Sequence, residues 1–300
     1  MIQRLEAAWF APAPAARLAV IRIVLGVFFV VTVVTAWDDV PGLSSDPGAR
    51  FIPVGLARVL PGPISASALG FVQVVVVALG VLWTVGLAWR VVAPLFAFAV
   101  LFWGAYRLSW GAIAHDLHLP ALHVVVLALA PAAAALSLDA RRPSTLAWPT
   151  PARSWHHGWA LRLLCVVTAA VYVLAGWSKL DFAGLAWGSG DNLLAQVAYA
   201  ALLRAVYDPD AGEPTALPIL RAHGWLLSAG SVLTLIVEIG APLALFHRYL
   251  GWSWALATLA MHQGIALLMG ISFPYQTFGL AFLCFLPVER LLPAAWRPRE

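Results

Sequence analysis

A succession of long apolar runs, separated by short polar gaps, constrains this chain more than any other feature. A helix needs about 20 mostly apolar residues to cross the hydrocarbon core of a bilayer. Eight segments meet or approach that length, near residues 18–37, 68–88, 91–108, 119–138, 158–178, 225–246, 251–271 and 274–288. In lipid the backbone must satisfy its own hydrogen bonds, so such segments are helices. No period-two alternation supports a barrel. These runs predict an all-α integral membrane protein, a polytopic bundle of about eight transmembrane helices in one domain over residues 1–300. Composition agrees, with 62% hydrophobic and 11% charged residues, against roughly 45–50% and about 25% in soluble domains. The same arithmetic excludes a disordered chain. It also removes the nucleic-acid reading of a pI near 9.4, because the net charge is only +4 and no lysine/arginine cluster offers a phosphate footprint.

Loop charges set the expected orientation. Placing the N-terminus inside puts Arg4, Arg17, Arg90, Arg141, Arg142, Arg153, Arg162, Arg248, Arg290, Arg297 and Arg299 on the inner side, against Arg50, Arg58, Arg107, Lys179, Arg204 and Arg221 outside. Asp38, Asp39, Asp46, Asp116, Asp181, Asp191, Asp208, Asp210 and Glu213 then fall outside. The arginine bias is the direction the positive-inside rule requires, giving N-in and C-in in a cell membrane. The N-terminus does not read as a cleaved signal peptide; Trp9, Phe10, Pro12 and Pro14 read as an interfacial segment. Two outer loops, 38–67 and 179–224, carry most of the polar content. The second contains a helical stretch, Asn192 to Tyr207, with Asp191 as its N-cap and Asp208-Pro209-Asp210 as its stop. That stretch is expected to lie in the interface or to re-enter the domain. Cys165 and Cys284 both lie in apolar runs, which argues against a disulfide framework or a cysteine metal site.

The basic residues single out one position. Seventeen of the eighteen are arginine, and the exception is Lys179, at the outer end of the fifth segment. Arginine stays protonated, whereas a buried lysine can give up its proton and act as base or nucleophile. A lysine snorkelling to the headgroups is the competing reading. His115, His118 and His123 cluster beside Asp116 before the fourth segment, on the same expected side as Lys179. A histidine there would relay a proton or orient a substrate oxygen. His-x-x-His beside an aspartate is a weak metal pattern, and no metal is assigned to it. Glu238 and His262 are ionisable groups inside apolar segments, which by default mark a functional site. For Glu238 the alternative is a structural role, as a buried partner for Arg22 or a helix–helix hydrogen bond. Trp177, Trp187 and Tyr275 line the expected outer boundary, as pocket walls or as interfacial belt residues. His156, His157 and His247 are expected among inner-side solvent and headgroups.

The segment Tyr172…Ala175-Gly176-Trp177-Ser178-Lys179-Leu180…Trp187-Gly188-Ser189-Gly190 resembles the lysine-bearing segment of the vitamin K-dependent γ-glutamyl carboxylases. It is equally similar to that of their bacterial relatives, the horizontally transferred transmembrane (HTTM) domain proteins. Arg22 to Gly26, the histidine segment from His115, and a His-led penultimate helix closing with Phe273-Pro274-Tyr275 extend the resemblance over roughly residues 5–292. The resemblance implies that Lys179 is the base that deprotonates a reduced quinone, vitamin K hydroquinone or menaquinol. It implies that His115, or His118 in its place, is the assisting histidine. His118, His262, Trp177, Trp187, Tyr275 and Glu238 are then candidates for the quinol pocket. Oxygen, and carbon dioxide if the chain carboxylates, would be co-reactants, with a protein or peptide as acceptor at the extracytoplasmic face of a bacterial inner membrane. The chain stops about a dozen residues past the last apolar run, so no counterpart of the carboxylases' luminal region is expected. Two other functions compete: a non-catalytic membrane component that binds lipid or a partner protein in peptide maturation or export, and a transporter. The transporter is disfavoured because no inverted repeat is visible.

Overall fold

The computed structural model describes residues 2–37, 51–111, 115–142, 144–207 and 216–293. The first part of the outer loop, 38–50, and the Asp208-Pro209-Asp210 stop lie outside the described residues. The chain is mostly helical and divides into two compact units, residues 1–164 with 287–300, and residues 165–286.

In the first unit, α1 (Ile2–Trp9) leads to a two-residue strand, β1 (Ala13–Pro14), which pairs antiparallel with β2 (Arg153–Ser154). The spanning helices of this unit are α2 (Ala15–Thr35), α3 (Ala66–Val85) and α4 (Trp89–Leu108). They are followed by α5 (His118–Ala128), the short α6 (Leu138–Arg141) and the start of α7 (Trp155–Ala183). Neighbouring α2, α3 and α4 pack side by side. Their inner faces form an aromatic core in which Trp83 lies 4.5 Å from Trp89 and 5.0 Å from Phe96, centroid to centroid. Val27, Val31, Phe71, Val74, Leu95 and Phe98 point outward and are exposed, as lipid-facing side chains of spanning helices are.

A buried polar junction closes this unit. Gly86, with φ +65°, ends α3 in the left-handed conformation that glycine adopts without strain. Both Asp139 oxygens cap the start of α4, accepting from the Ala88 and Trp89 N–H groups at 2.9 and 2.8 Å. Arg22, fully buried in α2, donates to the Leu136 carbonyl at 2.6 Å and sits in the field of Asp139. His157 is buried rather than set among headgroups: its Nε2 lies 2.9 Å from the Thr150 hydroxyl and its Nδ1 3.1 Å from the Ala13 carbonyl.

The second unit contains the rest of α7, a 3₁₀ turn (Gly184–Ser189), α8 (Asp191–Tyr207), α9 (Ala216–Ala222), α10 (Gly224–Ile239) and α11 (Arg248–Met269). The short α12 (Pro274–Thr277) and a 3₁₀ turn (Leu280–Phe285) complete it. The expected loop helix is present as α8. It packs through Val197, Leu193 and Leu194 against Leu220 of α9, Leu227 of α10 and Leu268 of α11.

Among the described residues, four helices are long and apolar enough to cross a membrane: α2, α3, α4 and the one beginning at Trp155. Of the other four expected spans, the one at 251–271 forms the 22-residue α11, which is not apolar enough to join these, and three break at a residue that interrupts the helical ladder. The span expected at 119–138 stops at Ala128, because Pro131 lacks an N–H and its ring clashes with the carbonyl four residues back. The freed carbonyls are used: Ala130 accepts from the Trp89 indole at 2.8 Å, and Leu136 accepts from Arg22. The span expected at 225–246 ends at Ile239, and Pro242 opens a 3₁₀ turn over Ala241–Leu245. The span expected at 274–288 is no continuous helix, since Gly279 turns the chain at φ +74° between α12 and the following 3₁₀ turn. Irregular backbone at membrane depth is tolerated where protein covers it and satisfies its carbonyls. Here the Trp252 indole donates to the Phe285 carbonyl at 2.9 Å and Gln263 to that of Thr277 at 2.6 Å.

Candidate functional site

The polar residues of interest in the second unit converge from three helices. Lys179 sits near the end of α7, and Glu238 near the end of α10. The two helices meet closely at Gly176, three residues before the lysine. A Cβ there would lie 2.9 Å from both Glu238 Cβ and Ile239 Cδ1, so only glycine leaves room. Small residues at helix crossings in lipid serve this close approach. Lys179 Nζ donates to both oxygens of Glu238, at 2.7 and 2.8 Å. The glutamate side chain is 5% exposed and the lysine 23%. The Trp187 ring, delivered by the 3₁₀ turn after α7, lies 5.7 Å from Nζ.

One face of α7 also carries Tyr172, two turns before Lys179. Its hydroxyl is 2.8 Å from His262 Nε2 on α11, and both residues are buried. Tyr172 lies within electrostatic reach of Glu238, and His262 within reach of Lys179. Aromatic rings enclose the pair: Trp254 at 5.2 Å and Phe282 at 6.2 Å from Tyr172, and Phe273 at 5.6 Å from His262.

The candidates from the sequence therefore sort by place. Lys179, Glu238, Trp187 and His262 lie in this cluster. Tyr275 is buried in the same unit, and Trp177 is 64% exposed, on the outer surface of α7. His115 and His118 belong to the first unit, where both are exposed and their Nδ1 atoms lie 3.2 Å apart. His123 is buried there, hydrogen-bonded to the Leu164 backbone. Glu238 has Lys179 as its partner, and Arg22 instead binds Leu136. The expected free amine is thus met by a carboxylate with both oxygens on it. Tyr172, which heads the lysine-bearing segment but receives no role from the sequence, joins the site because its position seven residues before Lys179 puts it on the same helical face.

Chemically, the arrangement is an acid–base pair set in an apolar helical surround. An ammonium has three donors, and two of them are spent on Glu238. The third is left for a ligand, while the carboxylate can receive one proton and leave the ammonium charged. The Trp187 indole N–H and the Ser231 hydroxyl, on the face of α10 that carries Glu238, are buried with no hydrogen-bond partner among the described residues.

The spanning helices define a helical, multi-pass membrane protein, and its second unit carries a largely buried ion pair. The chain belongs to the HTTM domain family, whose pattern matches residues 10–286. That membership relates it to the membrane domain of the vitamin K-dependent carboxylases. No curated protein and no solved structure matches the chain.

Proposed function

We propose that this HTTM protein is a carboxylase-like membrane enzyme in which the Lys179–Glu238 pair handles the proton of a reduced quinone, vitamin K hydroquinone or menaquinol. The observation that carries the reading is the two-oxygen contact between Lys179 and Glu238 in an apolar setting. A proton acceptor for a lipid-soluble donor has to lie inside the membrane domain, and the Glu238 carboxylate supplies one there. The unspent donors of Lys179 and Trp187, the Ser231 hydroxyl and the aromatic surround fit a flat ring bearing oxygens. When bound, the reduced quinone would supply an acidic ring hydroxyl and the electrons for oxygen, with carbon dioxide required only for carboxylation.

The residues divide the work. Glu238 receives the proton at one carboxylate oxygen. Lys179 keeps its positive charge beside the atom that lost the proton, where a low local dielectric magnifies the stabilisation. Gly176 sets the helix spacing that makes the pair. Loop charges favour an orientation with this centre toward the extracytoplasmic face, where a peptide or protein acceptor would be presented.

Protein in lipid nanodiscs, given vitamin K hydroquinone and oxygen, tests the proposal by chromatography of epoxide and other oxidised products. Loss of a positioned acid–base group costs about 10²–10⁴ in rate, so Lys179→Ala and Glu238→Gln are expected to lose at least a hundredfold. Wild type no faster than Lys179→Ala refutes the reading. Full turnover in Glu238→Gln, which cannot take up the proton, overturns the assignment of the carboxylate as the acceptor.

A further inference from the structure

We infer that Tyr172 and His262 form a second polar anchor at the end of the substrate opposite Lys179, so that the bound molecule carries two oxygens on opposite sides of a ring. The inference rests on the proposed quinol reading and names a binding requirement that reading does not contain.

His262 is 6% exposed, yet its Nδ1 has no hydrogen-bond partner among the described residues. A buried ring nitrogen left unpaired is costly, and such an atom in a folded protein calls for a partner that arrives from elsewhere. The opposite nitrogen is fixed by Tyr172 at 2.8 Å. Tyr172 therefore sets the ring orientation and ties the tautomer of Nδ1 to the direction of that hydrogen bond. Tyr172 is a positioning residue, and His262 is the group that touches the ligand. The rings of Trp254, Phe282 and Phe273 pack around the pair and give it an apolar surround.

Position along the helix supplies the second half of the argument. Tyr172 and Lys179 are seven residues apart on one face of α7, about 10 Å along the axis. Two hydrogen-bonding groups with unspent capacity thus bracket a stretch of helix, the Lys179 ammonium at one end and the His262 imidazole at the other. A monohydric ligand would use one of them. A ring with oxygens at both ends would use both, which selects 1,4-dioxygenated rings over lipids with a single polar head.

The test compares two binding probes by tryptophan quenching on protein in nanodiscs without reductant: 2,3-dimethyl-1,4-naphthoquinone, whose substituted ring does not alkylate thiols or amines, and the one-oxygen analogue 1-naphthyl methyl ether. Wild type is expected to prefer the two-oxygen probe. His262→Gln and Tyr172→Phe are expected to weaken that probe about five- to tenfold, one neutral hydrogen bond, while leaving the one-oxygen probe within twofold. A purely structural loss would weaken both probes alike and overturns the inference, as does unchanged quinone binding in both variants. Wild type that binds neither probe overturns the quinol reading along with this one, whereas quinone binding that ignores His262 but requires Lys179 overturns the anchor alone.

Discussion

Removing one member of the Lys179–Glu238 pair should destabilise the protein strongly, whatever it does to activity. Lys179→Met leaves both Glu238 oxygens without their 2.7 and 2.8 Å donors in a site where the carboxylate is 5% exposed. Breaking a buried pair from one side costs about 3–5 kcal/mol. The lysine is 23% exposed, which places the expected loss at the lower end, about 3 kcal/mol. For a chain of this size that corresponds to a Tm lower by roughly 5 °C. The double variant Lys179→Met/Glu238→Leu removes both charges and replaces them with apolar volume, so it should recover most of the loss. Thermal unfolding in nanodiscs, followed by tryptophan fluorescence for the four proteins of the cycle, measures the coupling directly. A single variant within about 2 °C of wild type, or a double variant equal to the sum of the singles, refutes the claim of a buried, mutually dependent pair.

Gly176→Ala forces a Cβ to within 2.9 Å of Glu238 Cβ and Ile239, and it should lower both Tm and quinol turnover; an unchanged rate would separate the helix crossing from the pair. Asp139→Ala strips two backbone N–H groups at the start of α4 of their acceptor and leaves Arg22 without its nearby carboxylate; a loss of about 2–4 kcal/mol is expected in thermal unfolding, larger than for Asp139→Asn. Glu289 is pushed up by burial, but the Arg17 hydrogen bond, its own backbone N–H and the charges of Arg17 and Arg290 together hold its carboxyl below the usual glutamate range. Its stabilising contribution is full above the ordinary glutamate value and is lost as pH falls through the lower folded one. Tm measured from pH 6 down to about 3 should therefore fall more for wild type than for Glu289→Gln, and parallel curves would remove the pair from the account.

Helices that crossed on apolarity alone were legible. The runs near 18–37, 68–88, 91–108 and 158–178 correspond to helices over Ala15–Thr35, Ala66–Val85, Trp89–Leu108 and Trp155–Ala183. Hydropathy does not register backbone geometry, so the breaks at Pro131, Pro242 and Gly279 were averaged away inside windows that remained apolar. Lys179 stood out as the lone lysine, and Glu238 and His262 as ionisable groups among apolar neighbours. Their pairing was not legible, because 59 positions separate Lys179 from Glu238 and nothing local reports the crossing at Gly176. A stricter use of the rule that intramembrane charges pair would have matched the two. Asp139 escaped notice because it lies in an ordinary loop sequence, and only the turn after Pro131 brings it to the start of α4.

The helix Trp155–Ala183 has 29 residues, about 43 Å of rise where roughly 30 Å suffices to cross the hydrocarbon. An overlong rod must lean, protrude or thicken the lipid around it, each at a modest cost per ångström. Lys179 rides near one end of that rod, so acyl-chain length becomes a dial on the depth of the amine. Thin bilayers would lift it toward the headgroups and thick ones would draw it under, coupling the surrounding lipid to the polarity that the ion pair experiences.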